Sequence, residues 1–337
     1  MQVRTGLTAV LMAGCLAGAA QAQGMVFTSW GGTTQDAQKT DWAAPFTKQS
    51  GIKVVQDGPT DYGKFKAMVD SGNVSWDVVD VEYDFALKAS EDGLLTPLAL
   101  PKDAVARIDP QFRTPYATGS FYYSFVIGYN KTGWKGAAPA TMADLFDTQK
   151  FPGKRTFYKW SAPGLLEAAL LADSVPADKL YPLDLDRAFH KLDAIKPAII
   201  WWSSGAQSQQ LLASGEAPLG LVWNGRVQAL EDSGAPVAMS WDHNLTTGDM
   251  LVVPKGSKHV ADAMKFIAFA TGAKPQAAFA TRTGYAPINV DSAALMPKAA
   301  AATLPQAHAD THIDLDVKYW AEHRDEIAKR WYAWQTK

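Results

Sequence analysis

The fold is indicated first by residues 24–55, which carry the sequence GMVFTSWGGTTQDAQKTDWAAPFTKQSGIKVV. Both ends of this stretch, 24–29 and 52–55, are short and rich in apolar and β-branched side chains, which predicts two strands. Between them, two adjacent glycines precede residues 34–50, over which apolar side chains recur at helical spacing. The stretch therefore predicts a strand, a glycine loop, a helix and a second strand.

The same alternation continues along the chain. Further strands are predicted over 76–81, 121–129, 155–158, 199–202, 219–223 and 250–253, and closing helices over 260–271, 293–303 and 316–334. Strands that alternate with helices form a parallel sheet covered on both faces, so the predicted fold class is α/β. A chain of 337 residues is long for one hydrophobic core, which predicts two lobes.

The N-terminus has the pattern of a secretory signal peptide. Arg4 supplies a positive charge, residues 7–19 are almost entirely apolar, and small residues precede a cleavage position after Ala22. The apolar run is shorter than the roughly 20 residues that a membrane span requires. The sequence therefore predicts a periplasmic protein whose mature form begins at Gln23.

Cys15 is the only cysteine, and it offers an alternative cleavage site with a lipid anchor. The preceding Met12 and the short apolar run before it fit such a site poorly, so cleavage after Ala22 is preferred. The mature chain is then expected to contain no disulfide and no thiolate chemistry. Acidic and basic residues are mixed along the chain, with a formal net charge of −2, which does not favour nucleic acid as a partner.

Several stretches resemble one family in their order and spacing. They are Ser29-Trp30-Gly31-Gly32, residues 45–54 (PFTKQSGIKV), Trp76-Asp77-Val78-Val79, Gly128-Tyr129-Asn130-Lys131, residues 212–216 (LASGE), Trp223-Asn224-Gly225, residues 253–256 (VPKG) and Gly284-Tyr285-Ala286-Pro287. These stretches resemble the extracellular solute-binding proteins of ABC importers, in the branch that contains the spermidine/putrescine binders. The resemblance covers nearly the whole mature chain.

The resemblance implies a type II periplasmic binding protein fold, with two mainly parallel α/β lobes, crossing strands between them and the ligand in the intervening cleft. The first lobe would comprise residues 23–130 and 250–300, and the second 131–249. The C-terminal helices, 301–337, would pack against the second lobe. Such a protein works by hinge closure on its ligand. A monomer that delivers the ligand to permease subunits in the inner membrane is expected.

Aromatic residues at predicted strand ends are candidates for enclosing the ligand, because α/β ligand sites form at such ends. Trp30 and Trp223 resemble family positions that carry ligand-contacting aromatic rings, and Trp241 resembles another family tryptophan. Trp202 lies nearer its strand end than the preceding tryptophan. Ser204 either contacts a polar ligand group or caps the following helix. For any of these tryptophans, packing in the core is the alternative.

Acidic residues also cluster at predicted strand ends. Asp80, Glu82 and Asp84 follow or end one strand, and Asp249 precedes another. A buried carboxylate needs a partner, which an ammonium group can supply. Asp249 matches the family position that pairs with the substrate amine in polyamine binders. Thr247, however, stands where those binders carry an aromatic residue, and each acid taken alone is commonly a solvated loop residue.

The predicted ligand site comprises Trp30, Glu82, Asp84, Trp202, Ser204, Trp223, Asn224, Trp241 and Asp249. The leading ligand is a cationic, polyamine-like amine, and the alternative is an amino-acid-like or other small metabolite. Ferric ion is disfavoured, because Tyr122 and Tyr123 are strand neighbours that face opposite sides. No nucleotide loop, nucleophile motif or metal-ligand spacing is present. The chain is therefore predicted to be no enzyme and to bind neither metal nor cofactor.

Overall fold

A computed structural model describes residues 24–133 and 136–337 of the chain. The predicted signal peptide at 1–22, with Cys15, lies outside the described residues. Within them, none of the helices combines the length and the apolar character needed to cross a membrane.

Strands and helices alternate along the described chain as the periodicity predicts. The strands are β1 Met25–Thr28, β2 Val54–Asp57, β3 Val78–Glu82, β4 Ala117–Asn130, β5 Arg155–Tyr158, β6 Ile199–Trp202, β7 Leu219–Trp223, β8 Val237–Val252 and β9 His312–Asp314. The helices are α1 Gly32–Gln38, α2 Ala44–Ser50, α3 Tyr62–Ser71, α4 Tyr83–Glu91, α5 Lys102–Ala106, α6 Met142–Phe146, α7 Leu165–Ala172, α8 Leu185–Asp193, α9 Gly205–Ser214, α10 Asn224–Asp232, α11 Val260–Ala270, α12 Ala273–Thr283, α13 Lys298–Ala301 and α14 Val317–Gln335.

The strands of the described residues join into one sheet with the order β2-β1-β3-β8-β4-β7-β5-β6, and β9 pairs with β8. At one end β1 pairs in parallel with β2 and β3, and at the other end β5 pairs in parallel with β6 and β7. We call the β2-β1-β3 end, with its helices, the first lobe, and the β7-β5-β6 end the second lobe. Two parallel α/β lobes are thus present, as the resemblance implies.

Two long antiparallel strands connect the lobes. β4 has 14 residues and β8 has 16, and their pairing runs from the first lobe to the second with two register shifts. The sequence predicts only the last part of β8, because residues 240–244 (SWDHN) are mostly polar and show no strand alternation. In this half of β8, residues 237–240 pair with β4, and Asn244 pairs with His312 of β9.

The C-terminal helix α14 lies against second-lobe elements through its tryptophans and also meets α4 of the first lobe. Its bounds, Val317–Gln335, agree closely with the predicted 316–334. The Ala-rich segment 293–303, by contrast, forms only short helical turns that flank Pro297. A proline cannot continue the backbone hydrogen bonds of a helix interior. The residue boundaries expected for the two lobes stay a prediction.

Candidate ligand-binding site

A small enclosed space lies where strands of both lobes end beside the crossing strands. The space between its lining atoms is about 190 Å³, part of which is open to solvent. Its lining comes from both lobes and both crossing strands and comprises Trp30, Thr34, Phe121, Tyr123, Trp223, Arg226, Asp249 and Tyr285. We call this space the interlobe cavity.

Aromatic rings form most of the cavity wall. Trp30 of the first lobe and Trp223 of the second lie with ring centroids 6.1 Å apart, and Tyr123 of β4 packs edge-on against Trp223. Phe121 and Tyr285 are stacked, with centroids 4.8 Å apart and planes 12° from parallel. Such faces can pack on a carbon chain and attract a cation.

One side of the cavity is acidic. Glu82 of β3 is the register partner of Asp249 on the antiparallel strand β8, and Asp80 precedes Glu82 by two residues on the same face of β3. We call these three residues the acidic wall. Asp249 is buried, and its Oδ1 atom has no hydrogen-bond partner among the described residues. Burial raises the pKa of Asp249 well above its usual range, and the neighbouring charges of Asp80 and Glu82 raise it further.

Asp80 differs from Asp249 because first-lobe and crossing-strand side chains already engage it. Gln38 and Ser120 donate hydrogen bonds to its Oδ2 atom, and Ser29 lies at 3.4 Å. Burial still raises the pKa of Asp80 to about 7. Asp80 is thus held in place through Oδ2, while its Oδ1 atom, like that of Asp249, has no hydrogen-bond partner among the described residues. Of the two carboxyl groups, only that of Asp249 lines the cavity.

The cavity also contains a buried cation. Arg226 lies in the first turn of α10, and its side chain donates hydrogen bonds across the cleft, from Nη1 to the Thr33 hydroxyl at 3.0 Å and from Nη2 to the Gly31 carbonyl at 3.2 Å. Its Nε has no partner, and no carboxylate of the described residues lies within 4.0 Å of the guanidinium. A guanidinium remains protonated in proteins. The cavity wall therefore carries a buried positive charge that forms no ion pair within 4.0 Å, and its attraction lowers the pKa of Asp249 against the larger effect of burial.

Glycines make room for this guanidinium. A Cβ at Gly205 would lie 2.2 Å from Nε and 2.4 Å from Cζ of Arg226, and one at Gly32 would lie 3.0 Å from Nη1. Gly205 opens α9, whose first turn Ser204 caps by accepting a hydrogen bond from the Gln207 amide. Close approach of the Arg226 side chain to the helix therefore requires glycine at position 205.

Gly205→Ala is expected to displace the Arg226 guanidinium and to weaken ligand binding at least tenfold. The helix itself should not suffer, because alanine is favoured over glycine in helices by about 0.5–1 kcal/mol. Calorimetric titration and thermal unfolding measure both effects. Gln210→Ala, at an exposed position of the same helix, is the control and should leave affinity unchanged. Full affinity in Gly205→Ala would show that the placement of Arg226 is not required.

Comparison with known proteins shows to which family this chain belongs. A family model described as bacterial extracellular solute-binding protein matches residues 41–309. The chain belongs to this family. This chain is 36% identical over 327 residues to the gamma-aminobutyric acid-binding protein of Pseudomonas aeruginosa. The matched region covers 94% of this chain and 92% of the relative. This chain is also 27% identical over 267 residues to spermidine/putrescine-binding periplasmic protein 1 of Haemophilus influenzae. That match covers 75% of this chain and 73% of the relative.

A solved structure, the Atu4243 GABA receptor, is 62% identical to the solute-binding protein and superposes with a TM-score of 0.84, covering 93% of this chain and 98% of that one. The predicted family and two-lobed fold are confirmed by these matches. The family and its relatives are binding proteins, so the prediction that the chain is no enzyme is confirmed as well.

Of the predicted site residues, three meet at the interlobe cavity: Trp30, Trp223 and Asp249. Trp202 is buried one layer behind, with its ring edge-on to that of Trp223 at 4.8 Å. Glu82 forms part of the acidic wall and accepts a hydrogen bond from the Tyr62 hydroxyl at 3.0 Å. That these five residues contact the ligand stays a prediction.

The other predicted site residues lie elsewhere. Asp84 forms an ion pair with Arg324 and does not line the cavity. The amide of Asn224 bridges the crossing strand and α12, accepting from the Ser124 amide and donating to the Gly284 carbonyl. The ring of Trp241 is stacked on that of His308, with centroids 4.0 Å apart. Ser204 caps α9, which is one of the two roles that the sequence allows.

Sequence reasoning missed five lining residues: Thr34, Phe121, Tyr123, Arg226 and Tyr285. A signal existed for two of them, because Arg226 directly follows the quoted Trp223-Asn224-Gly225 and Tyr285 lies within Gly284-Tyr285-Ala286-Pro287. Tyr123 lines the cavity while its neighbour Tyr122 faces a different one, as expected for adjacent strand residues. Within the described ranges, no cluster of histidine, cysteine and acidic side chains could hold a metal ion.

Proposed function

We propose that this chain is the substrate-binding component of an ABC importer and that its ligand is a short ω-amino acid, with γ-aminobutyric acid as the leading candidate. The observation that carries the proposal is that a guanidinium and a carboxyl group, those of Arg226 and Asp249, line one small cavity. Arg226 and Asp249 are both buried and line the same space, yet they form no ion pair with each other. Buried charges require compensation, which one zwitterion supplies to both.

In this arrangement the ligand carboxylate pairs with Arg226 and the ligand ammonium with Asp249. The rings of Trp30 and Trp223 then pack on the intervening methylene groups. Because Arg226 also bonds to Gly31 and Thr33 across the cleft, a carboxylate bound to it is held by a group that already joins the two lobes. The ligand thus stabilises the closed state, which is the state that the membrane permease would recognise.

A polyamine fits these residues less well than the sequence suggests. It carries a cation at each end, so one ammonium would face the guanidinium of Arg226 in a buried site, where like charges repel strongly. The names of the Pseudomonas aeruginosa relative and of the structure 62% identical to this chain support the amino-acid-like alternative.

The test is a calorimetric titration with four ligands that share one carbon skeleton length: γ-aminobutyrate, butyrate, butylamine and putrescine. We expect γ-aminobutyrate to bind most tightly. Each ligand that lacks one charge leaves a buried group unpaired, which should cost about 1.5–3 kcal/mol, or roughly 10- to 150-fold in Kd. Putrescine binding more tightly than γ-aminobutyrate would contradict the zwitterion assignment while leaving the binding-protein family intact.

A further inference from the structure

We propose that Arg324 of α14 is a positioning residue that ties the second lobe to the first behind the acidic wall and so sets ligand affinity without touching the ligand. The inference deepens the proposed binding role, since it assigns a control to the same cavity. It rests on contacts that the family resemblance does not describe.

The helix that carries Arg324 is anchored in the second lobe by three indole groups. Trp320 donates from Nε1 to the Glu167 carboxylate at 2.6 Å, Trp331 to the Lys159 carbonyl at 2.9 Å, and Trp334 to the Asp193 carboxylate at 2.7 Å. Glu167 and Asp193 belong to α7 and α8, and Lys159 directly follows β5. Three points spread along α14 are fixed to the second lobe in this way, and the helix also packs on α4 of the first lobe. We infer that the helix stays with the second lobe when the lobes separate.

Arg324 reaches from this helix into the first lobe. Its guanidinium forms an ion pair with Asp84 and lies 4.0 Å from the Glu82 carboxylate. The side chains of these two acids are only 1% and 5% exposed, and that of Arg324 is 14% exposed. An ion pair with so little contact with water is far less screened than a surface pair. Arg324 is thus the counter-charge for two buried carboxylates of the other lobe.

Aromatic packing fixes this contact further. The rings of Tyr62 and Phe85 are stacked, with centroids 3.8 Å apart, and the Arg324 guanidinium lies 5.2 Å and 5.5 Å from their centres. These distances fall within the range of cation–π attraction. Both rings belong to first-lobe helices, α3 and α4.

The contact continues from these residues to the ligand cavity. The Tyr62 hydroxyl donates to the Glu82 carboxylate at 3.0 Å, and its ring packs edge-on against Trp30 at 6.3 Å. Glu82 in turn is the register partner of Asp249. Arg324 therefore lies one residue behind both the acidic and the aromatic sides of the cavity, and its loss disturbs their placement.

The contact of Arg324 with Asp84 and Glu82 acts on the equilibrium between the open and closed forms of the protein. When the lobes separate, α14 stays with the second lobe and Arg324 must leave Asp84 and Glu82, so the ion pairs stabilise the closed form. Apparent affinity scales with the fraction of protein that can adopt the binding-competent form. Removing the Arg324 side chain should therefore weaken the binding of every ligand that requires the two lobes to close.

The experiment compares Arg324→Gln and Arg324→Lys with Arg330→Gln as matched control. Arg330 lies on the same helix, but it pairs with Asp186 of the second lobe, so this ion pair does not connect the two lobes. Calorimetry with γ-aminobutyrate should give a Kd about tenfold higher for Arg324→Gln, a smaller increase for Arg324→Lys and no change for Arg330→Gln. Thermal unfolding shows whether each variant is folded, and if Arg324→Gln is not, Arg324→Lys and Asp84→Asn take its place.

A second readout needs no ligand. Spin labels on Ala67→Cys in α3 and Ala143→Cys in α6, both exposed positions in different lobes, report the distance between lobes in the ligand-free protein. Arg324→Gln should shift this distribution toward longer distances. An unchanged Kd together with an unchanged distance distribution would overturn the proposal. If the wild type binds no ω-amino acid, the proposed function fails, and the distance measurement still decides the role of Arg324.

Discussion

Arg226→Gln is expected to remove nearly all binding of γ-aminobutyric acid, with a loss of about 2–5 kcal/mol, or roughly 30- to several thousand-fold in Kd. The variant deletes the only cation that lines the interlobe cavity among the described residues, and it leaves the ligand carboxylate buried without a partner. It also weakens the hydrogen bonds that cross the cleft to Gly31 and Thr33. Calorimetric titration measures the loss directly.

The matched control is Arg187→Gln, which deletes the same charge from an exposed ion pair with Asp173 in the second lobe. This variant should bind as the wild type does, because exposed pairs contribute about 0–1 kcal/mol and lie outside the cavity. Arg226→Gln should in addition narrow the preference for γ-aminobutyrate over butylamine, since a ligand without a carboxylate no longer leaves a guanidinium unpaired. Retention of wild-type affinity by Arg226→Gln would falsify the assignment of the carboxylate to this residue.

Asp249→Asn should weaken γ-aminobutyric acid by about 1.5–3 kcal/mol, or roughly 10- to 150-fold. The substitution is nearly isosteric, so the cavity keeps its shape while the charge that compensates the ligand ammonium is lost. Butyrate, which has no ammonium, should bind the variant at least as tightly as it binds the wild type, because it no longer leaves a carboxylate unpaired. The same calorimetric series, run with both ligands, separates loss of the charge from damage to the cavity.

The control within the acidic wall is Asp80→Asn. Gln38, Ser120 and Ser29 already engage Asp80, and this carboxyl group does not line the cavity. We expect affinity to change by less than about threefold, because no ligand charge depends on it. A larger effect in Asp80→Asn than in Asp249→Asn would exchange the roles of the two carboxyl groups.

The regular elements of the fold could be predicted because side-chain periodicity is a local property. The helix over 34–50 appears as α1 and α2 with a π-helical segment, Lys39–Ala43, between them, and periodicity alone does not reveal such an insertion. The first half of β8 could not be predicted, because it depends on pairing with β4 and with β9, which are distant in sequence. That both lobes share one sheet also depends on partners that are distant in sequence.

The candidate site likewise contains residues that local sequence patterns can locate and one that they cannot. Trp30, Trp223 and Asp249 lie at or near strand ends, which local patterns can locate. Arg226 lies in the first turn of a helix, where an arginine is usually exposed to solvent. It is buried here because backbone from the other lobe and Gly205 approach it, and only the assembled tertiary structure brings these groups together.

The pairing of β3 with β8 also constrains how the chain can fold. β3 has β1 on one side and β8 on the other, and β8 belongs to a much later part of the chain. Such non-local pairing is slow to form, because loop-closure entropy must be overcome before the contacts stabilise the product. A fragment that ends before Val237 would leave β3 and β4 with unpaired edges. Glu82 and Asp249 therefore meet only once β8 has paired with β3, so a chain in which this pair has not formed lacks a complete interlobe cavity.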